Sequence, residues 1–91
     1  MENFVKGKTT SGFEFNIPAQ RFDNMELLDT LSEFEESENS LAFSKLLNLL
    51  LSKKEKKELY DTLRKPDGTI PIKSVSIAVN EIFSSGKKEK N

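Results

Sequence analysis

Three groups of residues are dense enough in charge or turn chemistry to test for a site. They are the carboxylates from Asp23 to Glu38, the turn Pro66-Asp67-Gly68-Thr69-Ile70, and the lysines Lys53, Lys54, Lys56 and Lys57. Paired carboxylates perform acid–base chemistry when an apolar cavity separates their pKa values. Here they lie on a polar helix face with no such cavity, so they read as a solvated surface. The Asp67-Gly68 turn resembles the middle of a calcium loop. Aligning Gly68 with the loop glycine puts Leu63, Lys65 and Ser74 where calcium needs oxygen ligands, so the segment reads as a turn between helices. The lysine cluster suits nonspecific phosphate contact, but no arginine-rich recognition helix accompanies it, and Tyr60 is the one tyrosine.

Composition narrows the chemistry further. The chain has 91 residues, 14 Lys+Arg, 15 Asp+Glu, no His and no Cys. Without His it lacks the commonest general base and metal ligand, and no Ser-His-Asp triad is available. Without Cys there is no thiol nucleophile, cysteine-ligated zinc or disulfide. A net charge of -1 gives no global basic field to draw nucleic acid. Gly7 and Gly12 stand too far from any helix start to build a phosphate loop. The expectation is therefore a non-catalytic protein with no cofactor and no metal. No apolar run has the length of a signal peptide or a membrane span, which predicts a soluble, cytoplasmic chain.

The elements that position these residues are legible from period and punctuation. Phe13, Phe15 and Ile17 alternate with Glu14 and Asn16, which predicts a β-hairpin over Phe4 to Ile17 turning at Ser11-Gly12. Pro18 closes the strand region, since it has no N–H for a ladder. A first helix is predicted over about 23–36, after a possible helical turn from Ala19. Asp23 or Asn24 is its cap, and Leu27, Leu28, Leu31 and Phe34 are its buried stripe. Ser37-Glu38-Asn39-Ser40 is a polar linker. A second helix spans about 40–51. A third opens on the capping box Ser52-Lys53-Lys54-Glu55 and runs to about Arg64, with Leu59, Tyr60 and Leu63 inward. A fourth covers about 72–84 with Ile72, Val75, Val79, Ile82 and Phe83 as its core face and Ile77 beside it. The fold class is α+β: an N-terminal β-hairpin packed on about four short α-helices. It forms one domain over 1–84, followed by a flexible polar tail over 85–91.

The second helix is the most informative segment. Eight of the eleven residues from Leu41 to Leu51 are apolar. Such a helix is buried on several sides by its own chain, or partly by a partner. Charge is also segregated. Residues 23–38 hold seven acids and no base, while residues 45–65 hold seven bases against three acids. Two solvated faces account for this, as do complementary faces on neighbouring copies in a ring or helical assembly.

The order of segments resembles a known family. The features are Thr10-Ser11-Gly12-Phe13-Glu14-Phe15-Asn16-Ile17, then Asp23-Asn24-Met25-Glu26-Leu27-Leu28-Asp29-Thr30-Leu31, and a leucine-rich helix. Lys57-Glu58-Leu59-Tyr60-Asp61-Thr62-Leu63-Arg64 follows, and Asp67-Gly68-Thr69-Ile70-Pro71-Ile72 leads into Val75 to Phe83. Over about residues 10–84 the chain is similar to the small tail assembly chaperones of long-tailed phages and prophages of Gram-positive bacteria. The resemblance implies a non-catalytic protein of the host cytoplasm that escorts the tape measure protein and helps recruit major tail protein. It also implies absence from the mature virion, and in many members a longer frameshifted form. It transfers no site residue.

The expected partner-binding residues come from the leucine-rich helix and its neighbourhood: Phe43, Leu46, Leu47, Leu50, Leu51 and Ile77. An amphipathic helix of the tape measure protein would lie on them. The same residues also suit the chain's own core. The alternative is a small regulatory adaptor that binds a protein or nucleic acid through the basic end of the third helix.

Overall fold

The computed structural model describes residues 3–37 and 40–89. Two antiparallel strands, β1 (Phe4–Lys8) and β2 (Glu14–Pro18), lead into a short 3-10 turn (Ala19–Arg21). Four helices follow: α1 (Met25–Ser37), α2 (Ser40–Leu50), α3 (Lys53–Leu63) and α4 (Ile72–Glu89). The α+β class expected from the sequence is the class observed.

The hairpin register pairs Val5 with Ile17 and Gly7 with Phe15, which places these four residues on one face. Val5, Phe15 and Ile17 are buried there, while Lys6, Lys8, Glu14 and Asn16 face out. Gly7 is required by its cross-strand neighbour: a Cβ at this position would lie 2.6 Å from Cζ of Phe15. The ring thus occupies the space that a side chain would fill. The turn closes through Thr9, whose Oγ1 accepts from the Phe13 N–H at 3.0 Å, and Gly12 adopts φ +105. Glu81 on α4 anchors the hairpin tip by accepting from the Thr10 N–H at 3.0 Å and from its hydroxyl at 2.8 Å.

Helix ends follow local chemistry. Asn24 caps α1: its Oδ1 accepts from the Glu26 N–H at 3.0 Å. Ser52 and Glu55 form the expected reciprocal capping box on α3. Lys65 to Thr69 makes a closed turn, with Gly68 at φ +92. The core joins the hairpin face to Leu27 of α1, the inner side of α2, Leu59 of α3, and Val75, Ala78, Val79 and Ile82 of α4.

Three sequence expectations change. Leu28 is exposed and Thr30 is buried, its hydroxyl donating to the Glu26 carbonyl at 2.7 Å. The inward line of α1 therefore runs through Leu27, Thr30, Leu31 and Phe34 and leaves Leu28 outside. Ile72 is 67% exposed, because the first turn of α4 overhangs the core. Helix α4 also runs to Glu89, past the expected end near Ser84 and into the segment read as a tail. Gly86 is buried against the Phe22 ring, whose atoms lie 2.8 and 2.9 Å from where a Cβ would stand. Phe22 in turn meets Phe83 edge-on, with centroids 5.9 Å apart. Residues 38 and 39 of the linker and residues 90 and 91 lie outside the described residues.

Candidate protein-docking site

The α2–α3 corner is set by one polar node. Glu55 Oε1 accepts from the Ser52 N–H at 2.7 Å and from Arg21 Nη1 at 2.8 Å. Arg21 Nη1 also donates to the Leu50 carbonyl at 3.2 Å, one of the acceptors left over at the end of α2. Burial pushes the Glu55 carboxyl up, but the Ser52 N–H and the Arg21 guanidinium outweigh it and hold the group below its ordinary value. The node ties the 3-10 turn, the end of α2 and the start of α3 together, and so fixes the angle between α2 and α3.

That angle opens an apolar groove of about 300 Å³. Phe43 and Leu47 of α2 form its floor, Tyr60 of α3 one wall, and Ile70, Ile72 and Val75 the other. Phe43 is braced from behind by Phe34 of α1, with the rings stacked at 4.8 Å. Ile72 forms a lip in solvent. Asp67 closes the turn that precedes Ile70. Its carboxylate accepts from the Thr69 N–H and then the Thr69 hydroxyl, which hold it below the ordinary aspartate value.

Tyr60 also borders a second, shallower depression of about 600 Å³, rimmed by Lys53, Lys54, Lys56, Lys57 and Arg64. Its walls are lysine stems, which present methylene groups while the ammonium groups stay in water. Asp61 binds Lys57 at 3.0 Å and Arg64 at 3.3 Å, and these two partners hold its carboxyl below the ordinary range. Lys56 donates to Asn48 of α2.

The structure divides the residues expected to bind a partner. Phe43 and Leu47 line the groove. Leu46, Leu50 and Leu51 are sealed in the chain's own core and line no groove; Phe43 and Leu47 are buried as well, at 7% and 2% exposure, and reach the groove only as its floor. Ile77 is 48% exposed but does not line the groove. Sequence reasoning missed Tyr60, Ile70, Ile72 and Val75. Their signal was an apolar residue on each side of Pro71, at Ile70 and Ile72, next to a glycine turn. In the sequence Ile70 falls in the turn between helices, Ile72 and Val75 on the core face of the fourth helix, and Tyr60 on the inward side of the third.

Among the described residues no group of three potential metal-ligating side chains comes together. No helix among them is long and apolar enough to cross a membrane. Comparison with known proteins finds no matching family model, no matching curated protein and no matching solved structure.

Proposed function

We propose that this chain is a non-catalytic tail assembly chaperone, working in the host cytoplasm and absent from the mature virion. It takes an amphipathic helix of the tape measure protein into the groove between α2, α3 and α4 and aids recruitment of major tail protein. The observation that carries this reading is an open apolar groove bordered by a lysine ridge, which suits a helix with an apolar face and acidic flanks. The order of sequence segments supports the family.

The groove's size sets its strength. Two anchoring side chains buried in it gain roughly 3–6 kcal/mol, before the costs of association are subtracted. A single contact is thus weak, with a Kd of about millimolar or weaker. A long repetitive partner engaging many copies converts such contacts into stable coverage through effective concentration. This is the behaviour required of a protein that covers a long helix and later leaves it.

Co-expression with the tape measure protein of the same phage tests the reading. The expected result is a soluble complex that co-purifies and is lost in Ile72→Asp. Ile72 is exposed, so this variant is expected to keep its stability to within about 0.5 kcal/mol. A tape measure protein that stays insoluble while this chain elutes without it refutes the proposal. The lysine ridge supports the adaptor reading instead if DNA is retained at low salt and released at high salt.

A further inference from the structure

We infer that the last turns of α4 are a conditional helix whose docking on Phe22 holds the α2–α3 corner in place through Arg21. Ser84, Ser85 and Gly86 are poor helix formers, glycine the poorest of them. Yet α4 continues through them to Glu89. What holds them is the Phe22 ring, which covers the buried Gly86 and meets Phe83 edge-on. A cavity of about 250 Å³ lies beside this seat, bordered by Val5, Ala19, Phe22 and Gly86. The end of α4 is thus gripped at one ring rather than along a packed face. A helix end with so little local propensity and so narrow a grip has two states, docked and frayed.

Phe22 carries the state of that end across the 3-10 turn. The turn is three residues long, and no side-chain cap holds its start. The Phe22 N–H donates to the Ala19 carbonyl at 3.0 Å, so the ring and Arg21 belong to one small unit. Arg21 in turn donates to the Leu50 carbonyl and to Glu55, and so joins the end of α2 to the start of α3. With α4 docked, the guanidinium is set at the corner, and the groove between Phe43, Leu47 and Tyr60 keeps its width. With α4 frayed, the 3-10 turn loses its support, Arg21 leaves the corner and the groove loosens. Anything that binds the end of α4 therefore adjusts the groove from a distance. This control of partner docking rests on the groove reading, whereas the coupling itself is read on this chain alone.

Native-state hydrogen exchange by NMR tests the coupling. The Ser52 N–H, donated to the Glu55 carboxylate, and the Glu55 N–H, donated to the Ser52 hydroxyl, report the corner. The buried Leu59 within α3 and the Gly68 turn amide serve as references. Gly86→Val drives a side chain into the Phe22 ring. It is expected to speed exchange at Ser52 and Glu55 by about fivefold or more, the low end of ordinary coupling between sites, and to leave Leu59 and Gly68 unchanged. In an Arg21→Met background the same substitution is expected to add nothing, because the link is already cut. Gly86→Ala raises helix propensity yet still meets the ring, so it repeats the test in milder form should valine prevent folding. Equal acceleration at all four amides, none at the corner, or the same acceleration without Arg21 overturns the inference. Where tape measure protein co-purifies with the wild-type chain, its recovery with Gly86→Val is expected to fall by at least the same factor. Unchanged recovery beside a loosened corner overturns the control of the groove. A tape measure protein that binds neither form refutes the docking reading alone, and the exchange rates still decide the coupling.

Discussion

Removing the Glu55 side chain tests whether the α2–α3 corner depends on a single carboxylate. Glu55→Ala deletes the bond to the Ser52 N–H and the ion pair with Arg21, and leaves the guanidinium with only the Leu50 carbonyl. The lost cap is worth about 1 kcal/mol. The Arg21 and Glu55 side chains are 31% and 26% exposed, so their pair falls between a surface ion pair and a buried one, at about 1–2 kcal/mol. The total is about 2–3 kcal/mol, a large part of the roughly 5–14 kcal/mol expected for a chain of this length. Glu55→Gln keeps an acceptor for Ser52 and loses only the charge, at about 1 kcal/mol. Urea unfolding followed by circular dichroism at pH 7 is expected to rank wild type above Gln above Ala. An Arg21→Met, Glu55→Ala cycle is expected to give a coupling of about 1–2 kcal/mol. The carboxyl is held below its ordinary value of 4.5. Its contribution is therefore complete above that value and is lost as the pH falls through the lowered folded value, so Glu55→Ala is expected to have a flatter acid limb. An Ala variant within 0.5 kcal/mol of wild type, or a coupling near zero, refutes the reasoning.

Other positions give separate tests. Leu46→Ala is expected to cost about 2–5 kcal/mol by chemical denaturation, because Leu46 is fully enclosed; loss of partner binding by this variant then reports unfolding. Gly7→Ala is expected to destabilise by about 1–2 kcal/mol through overlap with the buried Phe15 ring, read as a lower urea midpoint with an unchanged slope. Gly68→Ala places a side chain at φ +92, where space is open but the backbone is unfavourable, and is expected to cost about 1 kcal/mol in a thermal melt.

Local features were readable in the sequence because local chemistry decides them. Alternation in Phe13–Ile17 gave the hairpin, Ser52 and Glu55 gave the α3 start, and Pro66 with Gly68 gave the turn. What escaped depends on contacts between distant segments. Helix α2 is apolar almost all round, so its period could not separate Phe43 and Leu47 at the groove from Leu46, Leu50 and Leu51 in the core. Ile72 continues the core spacing of α4 but lies one turn beyond the elements that would cover it. Gly86 falls in the stretch expected to be a flexible tail, yet it is accommodated inside α4 because the Phe22 ring fills the space beside it. No local pattern announces a contact across more than sixty residues.

The bond between the hairpin tip and Glu81 orders events during synthesis. Thr10 and Glu81 are 71 residues apart. At ribosomal rates of about 5–20 residues per second, roughly 4–14 s separate their synthesis. A two-stranded hairpin is marginal in water by itself. Until α4 is made, the face bearing Val5, Phe15 and Ile17 lacks the part of its cover that α4 supplies, and both strand edges are open to pairing with another nascent chain. The segment translated early is among the last to be secured, so slow translation between the hairpin and α4 raises the risk of aggregation on crowded polysomes.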